Sequence, residues 1–128
     1  MSETKNGSPR DIVRGNDNPD AKSGFETVSD EDFVSIFAEI PKPTREKLTA
    51  GYDLKSLAKV FEDEAMMQTV DLFLKNDLSI CRTARALYMH RNTLIYRLNS
   101  IRRQTGLDLR KFEMAVTFKF LHYLYVVK

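Results

Sequence analysis

Apolar residues recur along most of this chain at helical intervals. Phe33, Ile36, Phe37 and Ile40 stand at i, i+3, i+4 and i+7, a single apolar stripe. Ser29 precedes it as an N-cap, and Asp30, Glu31 and Asp32 favour the positive end of a helix. Pro41 and Pro43 end that helix. A short one is predicted from Thr44 to Ala50, closed by Gly51. Asp53 then caps a segment with Leu54, Leu57, Ala58 and Phe61 on one face. Glu62, Asp63 and Glu64 open another, which carries Met66, Val70, Phe73 and Leu74 and stops near Asn76. Strand signals reduce to Ile12-Val13 and Val126-Val127, too short to count. Helices this short are marginal in water on their own, so they must pack on one another. The expected fold class is all-α, a small helical bundle.

The next two patterns differ in kind. Capped by Asp77 or Ser79, a short helix turns Ile80, Ala84 and Leu87 inward, with Cys81 beside them as a buried thiol and Arg82 and Arg85 opposite. A break at Tyr88-Met89-His90 follows, then a longer helix from Arg91. At roughly 100° per residue, Leu94, Leu98 and Ile101 fall on one side of that helix, and Asn92, Tyr96, Asn99 and Arg103 on the other. Thr93, Arg97 and Arg102 lie on its flanks. The spacing predicts a helix-turn-helix over about 79–105. Gly106 is its left-handed stop. Asp108 is then expected to cap a last helix over about 109–126. That helix has two apolar stripes: Phe112, Val116, Phe120 and Tyr123, and nearly opposite, Met114, Phe118, Leu121 and Tyr125. Two apolar sides require two partners. One is the domain's own core. The other is either the upstream helices or a second copy of the chain, which makes Met114, Phe118, Leu121 and Tyr125 the candidate dimer or partner face.

Composition changes the picture at the N-terminus. Residues 1–26 are rich in Gly, Ser, Pro, Asn and Asp, with Ile12, Val13 and Phe25 their few large apolar residues. Such a stretch cannot bury enough apolar surface to offset its ordering entropy. It is expected to be a disordered tail, with the helical domain over 27–128. Charge changes the picture at the other end. The net charge is only +2, yet residues 1–78 hold 10 Lys/Arg against 16 Asp/Glu, while 79–111 hold eight against one. Positive charge gathered on the helix-turn-helix is the footprint expected for phosphate. Arg and Asn are the side chains that pair bidentately with guanine and adenine in the major groove, and first-turn residues of a recognition helix point at base edges. This places Arg91 and Asn92 at bases.

The run TARALYMHRNTLIYRLNSIRRQTGLDLRKFE resembles the C-terminal helix-turn-helix of the PucR/CdaR-type bacterial transcription regulators, those of purine catabolism and sugar diacids. The matching positions are Thr83 to Leu87, His90 to Leu94, Tyr96 to Leu98 and Thr105 to Leu109, and the likeness extends from about Met67 to Tyr125. More distantly, Arg91 to Leu94 resembles the factor-for-inversion-stimulation (Fis-like) helix-turn-helix. The resemblance implies His90, Arg91 and Asn92 near base edges, with Thr93, Tyr96 and Arg97 towards the backbone. Arg82, Thr83, Thr93, Tyr96, Arg97, Asn99 and Arg103 are together the candidate backbone contacts. Regulators of this type carry long N-terminal sensor and dimerising domains, so the chain is expected to be a fragment of a larger regulator or a reduced stand-alone form.

Other chemistry is weakly represented. His90 and His122 have no partners at metal-ligand spacing, and Cys81 has no base near it. The acidic runs read as helix-start charge. No Gly-rich phosphate loop and no cofactor motif appears, so no enzyme is expected. A single cysteine, no secretory leader and no run of ~20 apolar residues point to the cytoplasm and away from a membrane. The expectation is sequence-specific binding of double-stranded DNA, as a homodimer, in transcription regulation. The alternative is a helical interaction module that uses the apolar last helix. The effector, if any, is not legible.

Overall fold

The computed structural model describes residues 27–127. The predicted tail over 1–26 lies outside them. Two units are distinguished, Met1–Asp32 and Phe33–Lys128. In the described part of the first, Ser29 and Asp32 cap each other: the Asp32 N–H donates to Ser29 Oγ at 3.1 Å and the Ser29 N–H to Asp32 Oδ2 at 3.4 Å.

Seven helices and no strand occur among the described residues. They are α1 (Asp30–Ala38), α2 (Lys42–Thr49), α3 (Leu54–Phe61), α4 (Glu64–Lys75), α5 (Ile80–Ala86), α6 (Arg91–Thr105) and α7 (Phe112–Val126). The all-α expectation is met. Asp53 caps α3 by accepting from the Ser56 hydroxyl at 2.8 Å and the Ser56 N–H at 3.2 Å; these bonds hold its carboxyl below the usual carboxylate range. Asp63 caps α4 and Ser79 caps α5 in the same manner. Pro43 does not act as a terminator. It sits in the first turn of α2, where its missing N–H would have no helical partner anyway. Nor does Asp108 cap the last helix. Its Oδ1 accepts from the Arg110 N–H and Nε, which folds 108–111 into a turn and delays α7 until Phe112.

The core is a continuous cluster in which α3, α4 and α5 surround α6. Leu57, Val60, Val70, Phe73, Ala84, Leu94, Leu98 and Ile101 all bury there. Cys81 is a correction: it is exposed. The inward residues of α5 are Thr83 and Ala84, and Cys81 lies about 110° away from that line on a helix of only two turns.

α7 has most of its two apolar sides covered within the chain. Phe33 and Phe37 of α1 meet Tyr123 and Phe120 at ring separations of 5.0 Å, and Phe61 of α3 meets Phe118 at 5.2 Å, His122 at 4.9 Å and Tyr125 at 5.2 Å. Phe118 and Leu121 are buried and Met114 and Tyr125 half-buried. The candidate partner face of Met114, Phe118, Leu121 and Tyr125 is therefore mostly core, covered by upstream helices. What stays open is the start of the other stripe, Phe112 at 71% and Val116 at 50% exposure.

The α5–α6 turn is a Schellman stop without glycine. The Met89 N–H donates to the Ala84 carbonyl and the Tyr88 N–H to the Arg85 carbonyl, with Tyr88 at φ 53°. A tyrosine that is 97% exposed gains no packing to offset that conformation. Replacing Tyr88 with Gly should raise stability by roughly 0.5–1 kcal/mol, the left-handed penalty less glycine's extra chain entropy. The thermal midpoint should rise by a few degrees; a fall would show that the ring supports the turn.

Candidate nucleic-acid interface

Helix α6 is oriented before any of its polar residues act. Leu94, Leu98 and Ile101 are sealed in the core, so the opposite side is forced outward. There Arg91, Asn92, Thr93, Arg102 and Arg103 are exposed, and Tyr96 is 65% exposed. The Arg103 guanidinium lies over the Tyr96 ring, 5.7 Å from its centroid, which gives the lower half of the face an ordered cation. At the upper end His90 is the N-cap. Its Nδ1 accepts from the Asn92 N–H at 3.0 Å. Accepting there places the ring proton on Nε2, so an exposed donor stands beside Arg91 and Asn92. The first-turn N–H groups of α6 add positive potential at the same end.

The other candidates divide. Arg97 does not belong to the open row. It is half-buried, and its Nη1 donates to Thr69 Oγ1 on α4 at 2.7 Å. Near the edge of the apolar side, the shortest path for its guanidinium is onto α4. Asn99 is half-buried and accepts from Arg110 Nη2 at 3.1 Å, which ties the middle of α6 to the turn before α7. Arg82 is exposed but engaged with the preceding turn, at 3.0 Å to the Asn76 carbonyl and 3.5 Å to Asp77 Oδ2. Thr83 is a correction. It is fully buried, its Oγ1 without a hydrogen-bond partner among the described residues, so its side chain has no surface to present.

The residue that sequence reasoning passed over is Thr69. It looks like a polar interruption of the α4 stripe, yet it is fully buried and receives Arg97 from 28 positions away. Its helical spacing beside Val70 and Phe73 marks the burial, but nothing local marks the partner. Among the described residues, no group of three or more His, Cys, Asp or Glu is placed to hold a metal ion. No helix among them is long and apolar enough to cross a membrane.

A short helix capped by Ser79, a left-handed turn, and a longer helix packed across it with one sealed and one cationic side make a helix-turn-helix unit. Residues 66–121 match the family model of the PucR C-terminal helix-turn-helix domain. The chain is 37% identical over 67 residues to the purine catabolism regulatory protein of Bacillus subtilis (strain 168), a match that covers 52% of this chain and 13% of that protein. It is 42% identical over 48 residues to the carbohydrate diacid regulator of Escherichia coli (strain K12), covering 38% and 12%. An uncharacterised B. subtilis protein, YsfB, is 39% identical over 61 residues, covering 48% and 17%. The aligned part is thus a small fraction of each of these relatives. No solved structure matches the chain.

Removing the Thr69 hydroxyl tests how α6 is held. Thr69→Val keeps the shape and deletes the acceptor, leaving Arg97 unpaired at a half-buried site. The expected loss is about 1 kcal/mol, less than for a fully buried charged bond because solvent still reaches Arg97. Urea denaturation reads it directly. An unchanged midpoint would show that the bond contributes nothing.

Proposed function

We propose that the protein is a cytoplasmic transcription regulator that binds duplex DNA sequence-specifically through the outer face of α6. The observation that carries this is the division of one helix into a sealed leucine–isoleucine side and an exposed side bearing Arg91, Asn92, Tyr96 and Arg103, within a PucR-type domain. Arg91 and Asn92 read base edges, with His90 Nε2–H as a further donor. Thr93, Tyr96 and Arg103 hold the phosphate backbone, and Arg82, at the start of α5, adds charge there. Arg97 and Asn99 position α6 through Thr69 and Arg110.

Two copies bind together in this proposal. Helix-turn-helix proteins usually read paired half-sites. The open Phe112–Val116 patch at the start of α7 supports pairing of two such chains better than the side first expected to do so. The patch would serve equally in an interaction module, and the two roles are compatible.

The test is selection of bound duplexes from random DNA at near-physiological salt. An enriched motif with two-fold symmetry is the expected result. No enrichment would overturn sequence-specific binding, and a single unpaired half-site would overturn the two-copy arrangement. On the selected site, Arg91→Ala and Asn92→Ala should each weaken binding by ~1–3 kcal/mol and relax the preference at one position. Thr93→Ala should weaken all sequences alike, and affinity should fall steeply with salt.

A further inference from the structure

A cavity of about 480 Å³ lies between α2, α3 and the C-terminal half of α7, within the roughly 300–1,000 Å³ typical of small-molecule sites. Its floor is apolar. Leu54, Leu57, Ala58 and Phe61 line it at i, i+3, i+4 and i+7 along α3, and Leu121 and Leu124 continue it on α7. The facing wall has the same spacing and the opposite chemistry: Lys42, Arg45, Glu46 and Thr49 of α2.

That wall is not ordinary core packing. No side chain of α2 is fully buried, and its leucine, Leu48, is exposed, while its charged stripe faces the leucines. Arg45 is half-buried. Its Nη1 donates to the Val127 carbonyl at 3.0 Å, and its Nε is buried with no hydrogen-bond partner among the described residues. Buried charged donors are ordinarily paired, and a guanidinium pairs best with an oxyanion. Lys42 adds a cation and Glu46 cancels one, so the wall carries one net positive charge.

We propose that this cavity binds an amphipathic monocarboxylate, its apolar body on the α3–α7 floor and its carboxylate on Arg45. The site shares no residue with the outer face of α6 and does not depend on how that face is used.

The probes are decanoate and decanol, titrated below micellar concentration into the full ¹⁵N-labelled chain and followed by amide shifts. Decanoate should give saturable shifts at Thr49, Ala58 and Leu124, and decanol should bind at least about tenfold more weakly, the loss of a charge-assisted bond. Arg45→Met should weaken decanoate by a similar factor and leave decanol unchanged. Ala58→Trp, which fills the floor, should abolish both. Non-saturating shifts, shifts centred on Phe112 and Val116, or equal affinity for the two probes would overturn the proposal. The comparison of the two probes on the unsubstituted chain needs no variant, so it decides the matter even where a substitution unfolds the protein.

Discussion

The burial of Leu94, Leu98 and Ile101 against α3 and α5 is the constraint on which the rest depends. Three large aliphatic side chains at about 1.5–3 kcal/mol each outweigh any single polar contact on α6. Rotating the helix by one residue, about 100°, would expose them and draw Arg102 or, in the other sense, Thr93 towards the core. Apolar packing therefore sets the rotation of α6. The Arg97–Thr69 and Asn99–Arg110 bonds, each worth far less, hold the helix against α4 and against the turn before α7. Cations and amides that would be uninformative on a free helix become a directed row.

The same logic explains α7. A helix apolar on both sides invites a partner, and here α1 and α3 supply aromatic rings to both. Its first turns, with Phe112 and Val116, and its last residue, Val126, escape cover. The paired exposed residues Phe112 and Val116 stand at one end of the helix. The helix stands beside the domain core and also walls the apolar cavity under α2.

Periodicity made the helices legible, since the stripe positions that bury α3, α4 and α6 are spaced by the helix itself. The site's main row was legible for the same reason: it is what remains when Leu94, Leu98 and Ile101 are placed. What periodicity could not show was contact across the fold. Arg97 read as a flank residue because its acceptor, Thr69, is 28 positions away on another helix. Thr83 read as a surface polar residue because hydroxyl chemistry suits phosphate, yet its place beside Ala84 buries it. Cys81 failed the other way, its apolar character outweighing an angle that turns it outward. The non-glycine turn at Tyr88 shows the limit on backbone inference: composition marks a break but not the left-handed residue that makes it.

The most direct test of the account is an amide-shift map of the ¹⁵N-labelled chain titrated with a mixed-sequence DNA duplex. The outer face of α6 is predicted to respond first and most, at Arg91, Asn92, Thr93, Tyr96 and Arg103, while α2 stays still. Shifts confined to α2 or α7, with α6 unmoved, would contradict it.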